Sequence, residues 1–223
     1  MGHMISVAID GPAGAGKTEA AKAAAKRLRF AFVDTGALYR AVGVAVLRAG
    51  KATEDPAEVE ACLPDIRLSL AFIEGAQHVY LDGEDITETL YTPQASKASS
   101  DVAKVGAVRE FLLEPQRELA RRQNSIFNGR DIGTVVLPDA SLKIFLTAAP
   151  EERAARIYKR QRENGSPQPY EEVLADLLRR DKQDSERAAA PLKIAPGAVV
   201  LDTTRMDLEE SIQAVVALIK EKL

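Results

Sequence analysis

Eight residues near the start of the chain, Gly11-Pro12-Ala13-Gly14-Ala15-Gly16-Lys17-Thr18, constrain its fold more than any other stretch. They match the Walker A pattern of Gly, four variable residues, then Gly-Lys-Ser/Thr. The β-rich segment Ile5 to Asp10 precedes them and the alanine-rich segment Lys17 to Leu28 follows, so the order reads strand, glycine loop, helix. That order is what the chemistry needs. The glycines let backbone N–H groups turn toward a polyphosphate at the positive end of the following helix. Lys17 can reach the β and γ phosphates, and the Thr18 hydroxyl can bind Mg2+. Nucleotide binding follows from the motif. The fate of the nucleotide does not, because kinases, switch GTPases and ATPases share the loop.

The rest of the chain continues an alternating pattern. Phe30 to Val33 reads as a second strand ending at Asp34, and Ala37 to Arg48 as a helix with Leu38, Ala41, Val42, Ala45 and Val46 on one side. Asp55-Pro56 reads as an N-cap followed by a first-turn proline, with Glu58 in the capping-box place. From Ile66 the period falls to two: Ile66, Leu68, Leu70 and Phe72 alternate with polar or small residues, Val79-Tyr80-Leu81 follows Glu74-Gly75, and Asp82-Gly83 is a hairpin dipeptide. A small antiparallel meander is predicted there. Pro93 to Gln123 returns to helical spacing. Ser125 to Asn128, Leu142 to Leu146 and Ala198 to Leu201 read as strands. Pro150 to Glu163 and Pro169 to Ala188 read as charged helices around a mobile loop from Asn164 to Pro169, and a last helix opens with Asp207-x-x-Glu210. Five short apolar runs separated by helices predict an α/β fold: a five-stranded parallel sheet with right-handed crossovers and helices on both faces.

Composition removes several classes. A chain of 223 residues, 46% hydrophobic, buries a core without disulfide or metal staples. No run approaches the roughly 18 to 20 apolar residues of a membrane span, and a net charge of -3 argues against a general nucleic-acid binder. The single cysteine, Cys62, cannot form an intramolecular disulfide, and the start has no basic-then-apolar signal segment, so a cytoplasmic location is expected. Met1-Gly2-His3 reads as an expression scar. A switch GTPase is disfavoured: Asn128-Gly129-Arg130-Asp131 lacks the lysine of the guanine-reading Asn-Lys-x-Asp pattern, and no Asp is followed by two residues and then Gly.

At the end of the second strand stands Asp34-Thr35-Gly36-Ala37-Leu38-Tyr39-Arg40. With Gly129-Arg130-Asp131-Ile132-Gly133-Thr134 and Arg180-Asp181-x-x-Asp184-x-x-Arg187 it makes three motifs whose order resembles the bacterial cytidylate kinase family of P-loop nucleoside monophosphate kinases. The resemblance spans Met4 to Leu223 and implies transfer of the ATP γ-phosphoryl group to CMP or dCMP, with Mg2+, in pyrimidine nucleotide metabolism. The residues suit that reaction. A phosphate monoester with a second pKa of about 6 is already largely anionic and needs no general base, which fits a chain whose only histidines are His3 and His78. The reaction needs cations that align two anions and compensate charge on the transferring group. Arg40, Arg130, Arg153, Arg156, Arg160, Arg180 and Arg187 are available, although Arg156 and Arg160 also read as the solvated face of a charged helix.

The resemblance also assigns roles. Gly11 to Thr18, with Arg153 and Arg156, would hold ATP, and Lys17, Arg130, Arg187 and Asp34 would serve the reacting centre. Arg40, Arg130 and Arg187 would grip the acceptor phosphate beside Thr35, Gly36 and Tyr39. Asp34 would organise Mg2+ through water, together with Thr18, or orient Arg40. Ser100, Arg109 and Asp131 would read cytosine, the carboxylate accepting from the amino group and the guanidinium donating to the ring acceptors. Arg180 and Asp184 would contact the sugar, or else form an i, i+4 ion pair. Two positions depart from the family pattern: Glu19, where Ser or Thr is common, and Asn128, often acidic or small. The expected organisation is one P-loop unit over 4–223, with a core of 4–62, 103–150 and 190–223, an acceptor-binding insert at 63–102 and a helical lid at 151–189. A monomer without nucleic-acid or membrane partners is expected. The competing readings are a P-loop kinase preferring UMP or a non-nucleotide acceptor, and a nucleotide-binding regulatory module without phosphotransfer.

Overall fold

The computed structural model describes residues 4–223 apart from Glu74, Asn164, Ser166, Pro167 and Ala188. Asn164, Ser166 and Pro167 of the loop expected to be mobile, Asn164 to Pro169, therefore lie outside the described residues, as do Met1 to His3. In chain order the first elements are β1 (Ser6–Asp10), α1 (Lys17–Leu28), β2 (Ala31–Asp34), α2 (Thr35–Arg48) and α3 (Pro56–Cys62). The meander follows as β3 (Leu68–Ile73), β4 (Ala76–Leu81) and β5 (Glu84–Asp85), then α4 (Pro93–Val102) and α5 (Gly106–Arg122). The last part contains β6 (Ser125–Asn128), β7 (Leu142–Thr147), α6 (Pro150–Glu163), α7 (Tyr170–Glu186), β8 (Val199–Asp202) and α8 (Leu208–Lys220).

The predicted sheet is present. Five strands pair in parallel in the order β2-β6-β1-β7-β8. Because successive side chains point to opposite faces, Val7, Ile9, Ile126, Leu142, Ile144 and Leu146 meet Ala20, Ala21, Ala24 and Ala25 of α1 and Ile212, Val215 and Ile219 of α8. Ala8, Val33 and Phe127 face the other way, onto Ala120 of α5 and the π-helical turn Ile132–Val136. The alanines of α1 are short, so the helix that carries the glycine loop lies close against the sheet. The antiparallel sheet β3-β4-β5 packs Val79 and Leu81 against Ala37 and Ala41 of α2.

Three local expectations need correction. Pro93 to Gln123 is two helices, because a turn at Ala103–Val105 lets Val102, Val105 and Val108 all bury beside Leu38, Val42 and Val46 of α2. Helix α2 starts two residues early, at Thr35, since the Asp34 carboxylate caps it by accepting from the Gly36 N–H at 3.1 Å. Asp55 caps α3 as expected, but Glu58 accepts from the Ala52 N–H at 2.6 Å instead of closing a capping box. The capping box of α8, Asp207 with Glu210, is complete.

Candidate functional site

All five parallel strands end at one edge, and the glycine loop leaves the middle of it. Gly11 has a φ of 146°, and a Cβ there would stand 2.0 Å from the Leu146 carbonyl oxygen of β7, so only glycine lets the loop leave β1. Gly16 starts α1 in the left-handed region with no side-chain cap, which turns the first-turn N–H groups toward the loop's mouth. Lys17 is buried, and its Nζ donates to the Pro12 carbonyl at 2.6 Å. Burial, and next the Arg130 cation, hold its pKa well below the ordinary lysine range. The exposed Thr18 hydroxyl accepts from Asn128 Nδ2 at 3.1 Å, while Asn128 Oδ1 is buried with no partner.

Two arginines of α6 clasp this loop from behind. Arg153 donates to the carbonyls of Ala148 (2.8 Å) and Ala13 (3.1 Å) and makes a two-pronged pair with Asp181 at 3.1 and 2.7 Å. Arg156 donates to the Thr203 carbonyl (2.7 Å) and hydroxyl (3.2 Å) and to the Met206 and Ala15 carbonyls (3.3 and 3.4 Å). Arg156 is thus not on a solvated face; Arg160 is exposed.

Beside the loop, the end of β2 carries the second motif. Thr35 is buried and donates to the Asn128 carbonyl at 2.9 Å, a tie between neighbouring strands. Asp34 receives the Gly36 N–H on one oxygen and Arg40 Nη1, at 3.4 Å, on the other, so capping α2 and orienting Arg40 are one arrangement. A Cβ at Gly36 would come within 3.2 Å of that carboxylate.

The third motif gathers charge. Asp131 stands between two guanidiniums, Arg109 at 3.2 Å and Arg187 at 3.8 Å, and Arg109 also donates to the Tyr39 hydroxyl at 3.0 Å. Asp131 and Arg109 side chains are each 10% exposed. Arg187 Nη2 and Arg109 Nε are buried without a hydrogen-bond partner among the described residues. Burial, and then Arg109, lower the Arg187 pKa from its ordinary value. Arg130 Nε donates to Asp184 at 2.9 Å, so Asp184 pairs across the site and the i, i+4 pair with Arg180 is not the arrangement found. Lys17 feels the charges of both Arg130 and Arg180, and Arg180 those of Arg130 and Arg40. Ser100 is exposed on α4, and its hydroxyl donates to the Ser96 carbonyl at 3.2 Å.

Residues missed by sequence reasoning support these groups. Asp10 accepts the Ile132 N–H (2.8 Å) and the Gly133 N–H (2.7 Å), and burial raises its pKa to about 6. Its place at the strand end just before Gly11 was the available signal. Gln77 of β4 accepts from the Asp34 N–H at 2.7 Å and donates to the Asp34 carbonyl at 3.3 Å, joining the meander to β2, and nothing in the local sequence announces it.

Among the described residues no group of three or more His, Cys, Asp or Glu could hold a metal ion. The oxygens here, the Thr18 hydroxyl and the orphaned Asn128 Oδ1, suit a hard cation bound chiefly through phosphate and water. No helix among them is long and apolar enough to cross a membrane.

Comparison with known proteins agrees along the whole length. A family model described as Cytidylate kinase matches residues 7–221. A cytidylate kinase of Caldicellulosiruptor bescii is 44% identical over 214 residues, 96% of this chain and 95% of the relative. One from Caldanaerobacter subterraneus subsp. tengcongensis is 45% identical over 217 residues (97% and 95%), and one from Shouchella clausii 43% over 221 residues (99% and 98%). Among solved structures, an uncharacterized protein from Eubacterium ventriosum superposes with a TM-score of 0.58 at 13% identity over 98% of this chain and 99% of that one, a likeness of fold.

Proposed function

The chain belongs to the cytidylate kinase family, and on that premise we propose how its residues divide the work of passing the γ-phosphoryl group of ATP to CMP or dCMP. One observation carries the division: Arg187 Nη2 and Arg109 Nε are buried donors without hydrogen-bond partners among the described residues, on either side of Asp131. Unsatisfied buried donors are costly, and an anionic, hydrogen-bonding acceptor nucleotide would satisfy them.

Gly11, Pro12, Ala13, Gly14, Ala15, Gly16, Lys17 and Thr18 hold the donor phosphates. Arg153 and Arg156 support that loop through its carbonyls. Arg40, Arg130 and Arg187 take the acceptor phosphate. Arg109 and Asp131 read the cytosine edge with Ser100, whose hydroxyl would have to leave Ser96. Arg180 and Asp184 take the sugar. The attacking phosphate oxygen is already ionised, so the protein's contribution is alignment and charge compensation. Thr18, and Asp34 through water, would hold Mg2+, which supplies charge neutralisation on the phosphates when bound. The three-part division into core, insert 63–102 and lid 151–189 belongs to the same reading, as do a monomeric state and a cytoplasmic setting.

A coupled ADP-release assay across CMP, dCMP, UMP, AMP and shikimate tests it. CMP and dCMP should support rapid turnover and the other acceptors little. Turnover with UMP or shikimate alone, or stable ATP binding without ADP release on adding CMP, would overturn it.

A further inference from the structure

The insert sends one large aromatic side chain toward the acceptor side of the site. Tyr91 ends a 3-10 turn, Thr87–Tyr91, directly before α4. Its ring lies against the Arg40 guanidinium, whose central carbon is 5.4 Å from the ring centroid. Tyr91 is 63% exposed, so core burial does not hold the ring in place. The backbone is held by its neighbours: Ile86, just before the turn, and Leu90 within it are fully buried, and Gln77 ties the insert to Asp34.

A guanidinium offers two kinds of contact. Its face stacks on an aromatic ring, and its edge donates hydrogen bonds in plane. Here the ring takes the face, while the Asp34 carboxylate takes the edge through one long contact of 3.4 Å. An incoming phosphate can therefore capture the N–H edge without breaking the stacking contact. A phosphate bound to the edge and a ring on the face stabilise the same orientation.

We propose that Tyr91 is a positioning residue for the acceptor phosphate, acting from the insert by holding the Arg40 guanidinium so that its N–H edge faces that phosphate. The proposal rests on the reading of Arg40 as an acceptor-phosphate ligand. It makes the insert sensitive to the phosphate as well as to the nucleoside.

The test compares Tyr91→Ala, Tyr91→Phe, Arg40→Ala and the Tyr91→Ala/Arg40→Ala double variant, titrating CMP calorimetrically and using cytidine as a competitor. Tyr91 is exposed, so its variants should fold, and thermal melts check this. Tyr91→Ala should weaken CMP roughly three- to fivefold, as expected for an exposed cation–π contact. Cytidine and ATP affinities should stay unchanged, Tyr91→Phe should restore CMP binding, and Tyr91→Ala should add no further loss in the Arg40→Ala background. Equal weakening of CMP and cytidine would overturn the proposal in favour of a nucleoside contact. If Arg40→Ala weakens CMP while Tyr91→Ala does not, the Tyr91 role fails and the Arg40 assignment stands. If Arg40→Ala leaves CMP binding intact, the Arg40 assignment fails and takes this proposal with it.

Discussion

Arg130 of the loop after β6 and Asp184 of α7 meet at 2.9 Å, and Arg153 and Asp181, 28 positions apart, form the two-pronged pair that joins α6 to α7. Arg153, Arg179 and Arg187 of the 151–189 segment thus face carboxylates within the chain, while Arg156 is held by backbone carbonyls. Movement of this segment on substrate binding would have to exchange Asp184 for phosphate at Arg130. Hydrogen exchange should therefore show the Arg153 end of α6 already protected in the protein alone. Added protection on binding CMP and a non-hydrolysable ATP analogue should fall on α7. Unchanged exchange in α7 would mean that the site is preformed.

Lys17 gives a proton signal. Its ammonium is destabilised by burial and by Arg130, and triphosphate placed against it would raise its pKa again. ATP binding should therefore take up protons, increasingly so as pH rises above the lowered value. Calorimetry in buffers of different ionisation enthalpy measures that uptake. Lys17→Ala should abolish it and lower kcat by about a hundredfold or more. A near-normal kcat with only a KM change for ATP would contradict the role.

Asp131→Asn replaces an acceptor by an amide that can donate to the uracil O4 position. CMP should bind about 10- to 100-fold more weakly, the value of a charged hydrogen bond, and discrimination against UMP should fall, while ATP affinity is unaffected. The exchange also leaves Arg109 and Arg187 without a neutralising charge, so thermal stability should drop. Equal loss for CMP and UMP would reduce Asp131 to a structural counter-ion.

Asp10 makes stability depend on pH. Burial raises its pKa from 3.8 to about 6 against the opposing pull of two backbone N–H groups. Between about pH 4 and 6 the folded state holds a proton that the unfolded chain has released. Its contribution therefore favours folding at the acid end, falls as pH rises through about 6, and is level above it, spanning roughly 3 kcal/mol. Urea unfolding of wild type and Asp10→Asn from pH 4 to 7.5 should differ in slope across that window. Parallel curves would show that Asp10 does not titrate there.

The sequence alone determined the elements and the nature of the donor site. The start of α1, the cap at Asp55, the capping box at Asp207 and the turn at Asp82-Gly83 are each set by backbone sterics and hydrogen bonds a few residues in reach, so local pattern suffices. Three motifs in order likewise pointed to the acceptor. Tertiary structure decided the partners. Asp10 and Gly133 are 123 positions apart, Asp34 and Gln77 43, and Arg130 and Asp184 54. Charges of one sign are interchangeable in a sequence. Which carboxylate meets which guanidinium depends on where the parallel crossovers bring their loops along the sheet edge, and on how much water the packing removes there. The break between α4 and α5 has the same origin, since burying Val102, Val105 and Val108 on α2 outweighs the continuity that helical spacing suggests.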